Sequence, residues 1–114
     1  MKDDRVTLAH VRDAIARIES YTQGGREALF ADTKTQDAVI RNLEVIGEAV
    51  KNLSAGLRAK YREVPCTRIA GMRDVLIHDY FGVRLETVWN AVEHRLPELK
   101  RYVEALMAQQ VDRA

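Results

Sequence analysis

Val64-Pro-Cys-Thr-Arg-Ile-Ala-Gly-Met-Arg-Asp-Val-Leu-Ile-His-Asp-Tyr-Phe-Gly82 is the stretch on which the reading of this chain turns. Pro65 suits a helix start, because its ring presets φ and its missing N–H would be unpaired there in any case. Gly82 suits a helix end, where a left-handed residue is often needed. Between them Ile69, Met72, Leu76 and Tyr80 recur at helical spacing, so one face of this segment is expected to be buried. The same segment carries Arg73, Asp74, His78 and Tyr80.

Their geometry limits what one helix can do. Arg73 and His78 are five residues apart, about 140° around a straight helix. They do not converge on one point by helix geometry alone. Fraying near His78, the reach of Arg73, or a second copy of the helix can bring them together. Arg73 and Tyr80 nearly eclipse. Asp74 stands four residues before His78 and can reach the imidazole, either to orient it or as an ordinary surface pair.

Outward from this segment the chain reads as helices. Asp3 or Asp4 can cap a first helix, with Leu8, Val11, Ile15, Ile18 and Thr22 on one stripe and Gly24-Gly25 at its end. Arg26 to Ala31 fits a short helix or a loop with Phe30 tucked inward. Asp32 or Thr33 starts a second long helix with Val39, Leu43, Ile46, Val50 and Leu53 inward. Gly47 costs about 1 kcal/mol there relative to Ala, which suits close packing by a neighbour. Ser54 can cap a short helix through Tyr61. After Gly82, the residues Leu85, Val88, Val92, Leu96, Leu99, Val103 and Leu106 fall three or four apart. Pro97 lies inside that pattern and is expected to kink or divide the helix. The polar tail from Gln109 to Ala114 is expected to fray.

The expected fold class is all-α: an antiparallel four-to-five-helix bundle, in one domain over residues 1–114. Apolar residues are 46% and charged residues 31%, an ordinary water-facing balance. A chain this short buries a modest core, so pairing with a second copy would add stability. Ile77, Phe81 and Trp89 are left over for the core or for a dimer surface.

The net charge of +1 implies no nucleic-acid partner by itself. From Arg58 to Arg73, however, the cations Arg58, Lys60, Arg62, Arg68 and Arg73 face Glu63 alone. Such a stripe suits phosphate, and equally a solvated helix face. Cys66 is the only cysteine, which excludes an intrachain disulfide and a thiolate metal cluster. It reads as a small buried residue. His10 and His94 read as surface or packing residues. No metal site and no cofactor are expected, and no apolar run approaches a membrane span. The charged start, Met1 to Arg5, does not read as a secretory signal, so a cytoplasmic protein is expected.

The pattern Arg73, Asp74, His78, Tyr80 resembles that of the HepT-like toxins of the HEPN superfamily. Arg41-Asn-Leu-Glu-Val-Ile-Gly-Glu-Ala-Val50 resembles the family's second long helix. Leu85 to Trp89 and Leu96 to Leu99 resemble its last one. One departure is Cys66, where the family usually has Trp; that removes an aromatic packing anchor. The resemblance implies a homodimeric HEPN-type bundle acting as a metal-independent endoribonuclease. Arg73 would hold the scissile phosphate, His78 would move protons, and Asp74 would position His78. Arg58, Lys60, Arg62 and Arg68 would guide RNA. It also implies a minimal nucleotidyltransferase antitoxin that attaches AMP to Tyr80; without the resemblance, Tyr80 reads as a core aromatic. The rival reading is a non-catalytic binding or scaffold subunit of a nucleotidyltransferase complex.

Overall fold

The structure, a computed structural model, describes residues 3–60 and 85–112. Among the described residues all regular structure is helical: α1 (Asp4–Tyr21), α2 (Gly25–Ala31), α3 (Thr33–Lys51), α4 (Ala55–Lys60), α5 (Leu85–Asn90), a π-helical segment (Ala91–Arg95) and α6 (Leu96–Asp112). The helix expected over Pro65 to Gly82 lies outside the described residues.

Local chemistry sets each start. Asp3, not Asp4, caps α1: its carboxylate accepts the Arg5 backbone N–H at 3.0 Å. Asp32 caps α3, accepting the Lys34 N–H at 3.1 Å and the Thr35 hydroxyl at 2.7 Å. Helix α1 stops at Tyr21, and the Thr22 hydroxyl closes it on the Ile18 carbonyl at 2.8 Å. Gly25 then adopts φ +80°, a left-handed conformation that favours glycine. Gly24 has no room for a Cβ, which would lie 2.6 Å from the Cβ of Ala28.

The α1 stripe is buried, with Ala14 added to Leu8, Val11, Ile15 and Ile18; Thr22 serves as the C-cap instead. It packs mainly on Val39, Leu43, Ile46 and Val50 of α3, and α6 adds Leu99, Val103 and Leu106. Arg26 to Ala31 is helical. It seats Leu29 fully in the core and lays Phe30 against it, with the Arg26 guanidinium 4.2 Å from the Phe30 ring centroid. Gln36 donates to the Leu29 and Phe30 carbonyls at 3.0 and 3.2 Å, supplying donors that the end of α2 lacks. Gly47 and Asn42 are buried on α3, and Asn42 donates to the Ala38 carbonyl at 2.8 Å.

Two long-range contacts fix direction. Asp4 at the start of α1 bonds Ser54, just beyond α3, so α1 and α3 run antiparallel. Glu19 near the end of α1 meets Lys100 near the start of α6 at 3.0 Å, so those two are antiparallel as well.

Pro97 neither breaks the last helix nor leaves it regular. The chain widens into the π segment just before it, where the Leu96 N–H donates to the Ala91 carbonyl, five residues back. The wider turn gives the Pro97 ring room where a regular helix would set it against the Glu93 carbonyl. It also corrects register. Two successive steps of four, Val88 to Val92 to Leu96, drift by about 80° on a regular helix. A π turn of roughly 4.4 residues removes most of that drift, and all three side chains are buried. Trp89 packs partly against the core and donates its indole N–H to Glu93 at 2.9 Å. Helix α6 continues through Asp112, so helical structure extends past Gln109, where fraying was expected.

Candidate functional site

Helix α4 carries Arg58 and Lys60, the first two cations of the predicted basic stripe. Its entry is tied down by side chains. The Ser54 backbone N–H and hydroxyl both donate to the Asp4 carboxylate, at 2.9 and 2.6 Å. The Ser54 oxygen in turn accepts the Leu57 N–H at 3.1 Å, which is the cap expected of it. Leu57 is buried and anchors the helix in the core. Asp4, expected as a possible cap for its own helix, therefore serves a helix 50 residues away. Arg62, Arg68, Arg73, Asp74, His78 and Tyr80 lie outside the described residues, as does Cys66.

A cleft of about 450 Å³ runs between α1 and α3. Thr7, His10, Asp13 and Arg17 line it from α1; Arg41, Glu44, Val45, Glu48, Ala49 and Asn52 line it from α3. Val45 and Ala49 are half-buried against the core and form an apolar floor. The other lining groups are polar or charged. His10, read from sequence as an isolated surface or packing residue, is exposed and lies on this cleft. The signal for it is the spacing of three to four on each helix, offset from the buried stripe, once the two helices are known to run antiparallel. Glu48 is exposed along the same wall.

His94 stands apart, its Nε2 3.0 Å from Glu93 on the exposed side of the π segment. Among the described residues no group of three or more His, Cys, Asp or Glu side chains is placed to hold a metal ion. No described helix is long and apolar enough to cross a membrane.

The HepT-like family model, described as "Ribonuclease HepT-like", matches residues 11–106. The chain belongs to that family. It is 44% identical over 103 residues to a Thermococcus cleftensis protein named "Probable ribonuclease HepT", covering 87% of this chain and 91% of that one. A Caldanaerobacter subterraneus protein, provisionally named an RNase, is 39% identical over 108 residues, covering 94% and 96%. A Methanocaldococcus jannaschii protein, named as a gamma-glutamylcyclotransferase joined to a provisional RNase, is 44% identical over 107 residues. That match covers 93% of this chain but 48% of the relative, so the chain spans about half of its length. No solved structure matches the chain.

Proposed function

We propose that this protein is a toxin ribonuclease that cleaves RNA without a metal ion, working as a homodimer. The observation that carries the reading is the family match over residues 11–106, and the pattern Arg73, Asp74, His78, Tyr80, which resembles the family's motif, supports it. The Arg73 guanidinium is always charged and has a donor fork that suits a phosphodiester. It would hold the scissile phosphate and offset the charge that builds on its oxygens. An unperturbed imidazole changes charge near cellular pH, so a histidine such as His78 suits taking or giving a proton. As base it removes the proton of the ribose 2′-OH. The 2′-oxygen then bonds to phosphorus as the bond to the 5′-oxygen breaks, leaving a 2′,3′-cyclic phosphate. The leaving oxygen needs a proton from an acid, and one imidazole cannot fill both roles at once. Two copies facing each other supply two histidines and two arginines to one cleft.

Arg58, Lys60, Arg62 and Arg68 would draw the RNA backbone towards that cleft. A nucleotidyltransferase antitoxin would silence the enzyme by attaching AMP to Tyr80, which adds bulk and a phosphodiester beside Arg73.

Expression of the chain alone tests this. Wild type is expected to arrest growth and deplete RNA, and purified protein to cleave RNA in EDTA. His78→Ala and Arg73→Ala should each lower the cleavage rate by about 10²-fold or more. Equal cleavage by wild type and His78→Ala would remove the enzyme reading. Mass spectrometry of Tyr80 after co-expression with the nucleotidyltransferase checks the modification.

A further inference from the structure

We propose that Asp4 is a positioning residue for RNA cleavage: by holding Ser54, its carboxylate fixes the direction in which α4 hands the chain to the stretch that carries Arg73 and His78. This rests on the nuclease reading above and adds to it a residue far from the motif in sequence.

Helix α4 is the last described element before that stretch, ending at Lys60 shortly ahead of Pro65. Its six residues are too few to hold a helical direction by themselves. Among the described residues two attachments hold it: Leu57 buried in the core, and Ser54 bound to Asp4. They fix different things. A buried leucine sets depth but leaves the helix free to swing about that point, because apolar burial is non-directional. The carboxylate fork is directional. One Asp4 oxygen accepts the Ser54 backbone N–H at 2.9 Å and the other accepts its hydroxyl at 2.6 Å, so the half-buried Ser54 is gripped by backbone and side chain together.

Neither helix needs these bonds in order to form. The cap of α4 is the Ser54 oxygen on the Leu57 N–H, and the first turn of α1 is capped by Asp3. What Asp4 adds is the orientation of one helix on another. Beyond the motif stretch the chain is described again at α5, where Val88 is fully buried and Arg26 meets Glu86 at 3.5 Å. That ion pair is exposed and contributes little, so the orienting contact is the one at α4. Its effect belongs to the chemical step. Attraction of RNA phosphates by Arg58 and Lys60 extends over a Debye length of roughly 8–10 Å, so a small swing of α4 changes capture little. In-line attack and proton transfer tolerate only about 0.5 Å.

Steady-state RNA cleavage by full-length variants, with Tm measured alongside, tests the proposal. Asp4→Ala is expected to lower kcat by about tenfold while KM stays within about twofold. Asp4→Asn keeps an acceptor for the Ser54 N–H and a donor for the Ser54 oxygen, and should recover most of the rate. Asp32→Ala, which unties the α3 cap and lowers Tm, should leave kcat at the wild-type value. An equal kcat loss in Asp32→Ala would make the effect one of stability and overturn the role of Asp4. A loss confined to KM, or no recovery in Asp4→Asn, would overturn it too. If Asp4→Ala loses its helical circular dichroism, Asp4→Glu decides: it keeps the charge but lengthens the arm, and an unchanged kcat counts against the proposal. A wild type that cleaves RNA beside an unimpaired Asp4→Ala removes only this role. A wild type that does not cleave removes the nuclease reading and this role with it.

Discussion

Asp3, Asp4 and Asp32 all sit near helix starts, and they do different things. Asp3 and Asp32 accept N–H groups of their own helices, whereas Asp4 turns away to hold Ser54. The Thr35 hydroxyl, then the Lys34 N–H, hold the Asp32 carboxyl below its ordinary value of 3.8, against an opposing effect of desolvation. A depressed carboxyl contributes stability that is present above the unfolded-state value and lost as pH falls through the folded-state value. Asp32→Ala is therefore expected to lower Tm at neutral pH, and its gap from wild type should narrow as the solution is acidified below about pH 4. Asp32→Asn keeps an acceptor without the charge, so its Tm should respond less to acid. Melting curves from pH 7 to pH 2 check both. The Asp32 cap was legible because a residue of the right type stands just before a periodic apolar run. The role of Asp4 was not, because its partner is 50 residues away and local pattern carries no information about it.

At the scale of the element, α5, the π segment and α6 act as one interrupted helix. The apolar spacing announced its position, and Pro97 announced that it would be irregular. The form of the irregularity was not announced: a kink or a break was expected at Pro97, and the chain instead widens into a π segment just before it. Removing His94 while changing Pro97→Ala is thus expected to give a regular helix with both halves still facing the core. Its Tm should stay near that of wild type. Removing Arg101 instead, inside regular α6, would rotate everything beyond it by about 100° and unseat Val103 and Leu106. Those two buried side chains lost from the core would cost several kcal/mol, at about 2–5 kcal/mol for a large aliphatic side chain. Thermal melts of the two shortened chains, compared side by side, measure the difference.

At the scale of the molecule, sequence pattern shows which faces turn inward but not which helices pair. The stripes of α1 and α3 predicted burial, and every residue expected on them up to Leu53, apart from the capping Thr22, is buried. The cleft between their outer edges needed two helices placed together, so no single stretch could reveal it. The Asp4–Ser54 contact bears on time as well as on shape. It joins the open ends of a helical hairpin whose other end is closed by α2. Helices packed along their length on the core open less often than short or terminal ones. Amide exchange in α1 and α3 is accordingly expected to be the slowest among the described helices, with α5 exchanging sooner. Asp4→Ala, which removes a charged acceptor worth about 1–3 kcal/mol, should accelerate exchange at the first turn of α1, the last of α3 and the start of α4 before it is felt elsewhere. Mass-resolved deuterium uptake would show it. A clasp between two otherwise distant turns is thus expected to decide how soon these helix ends part.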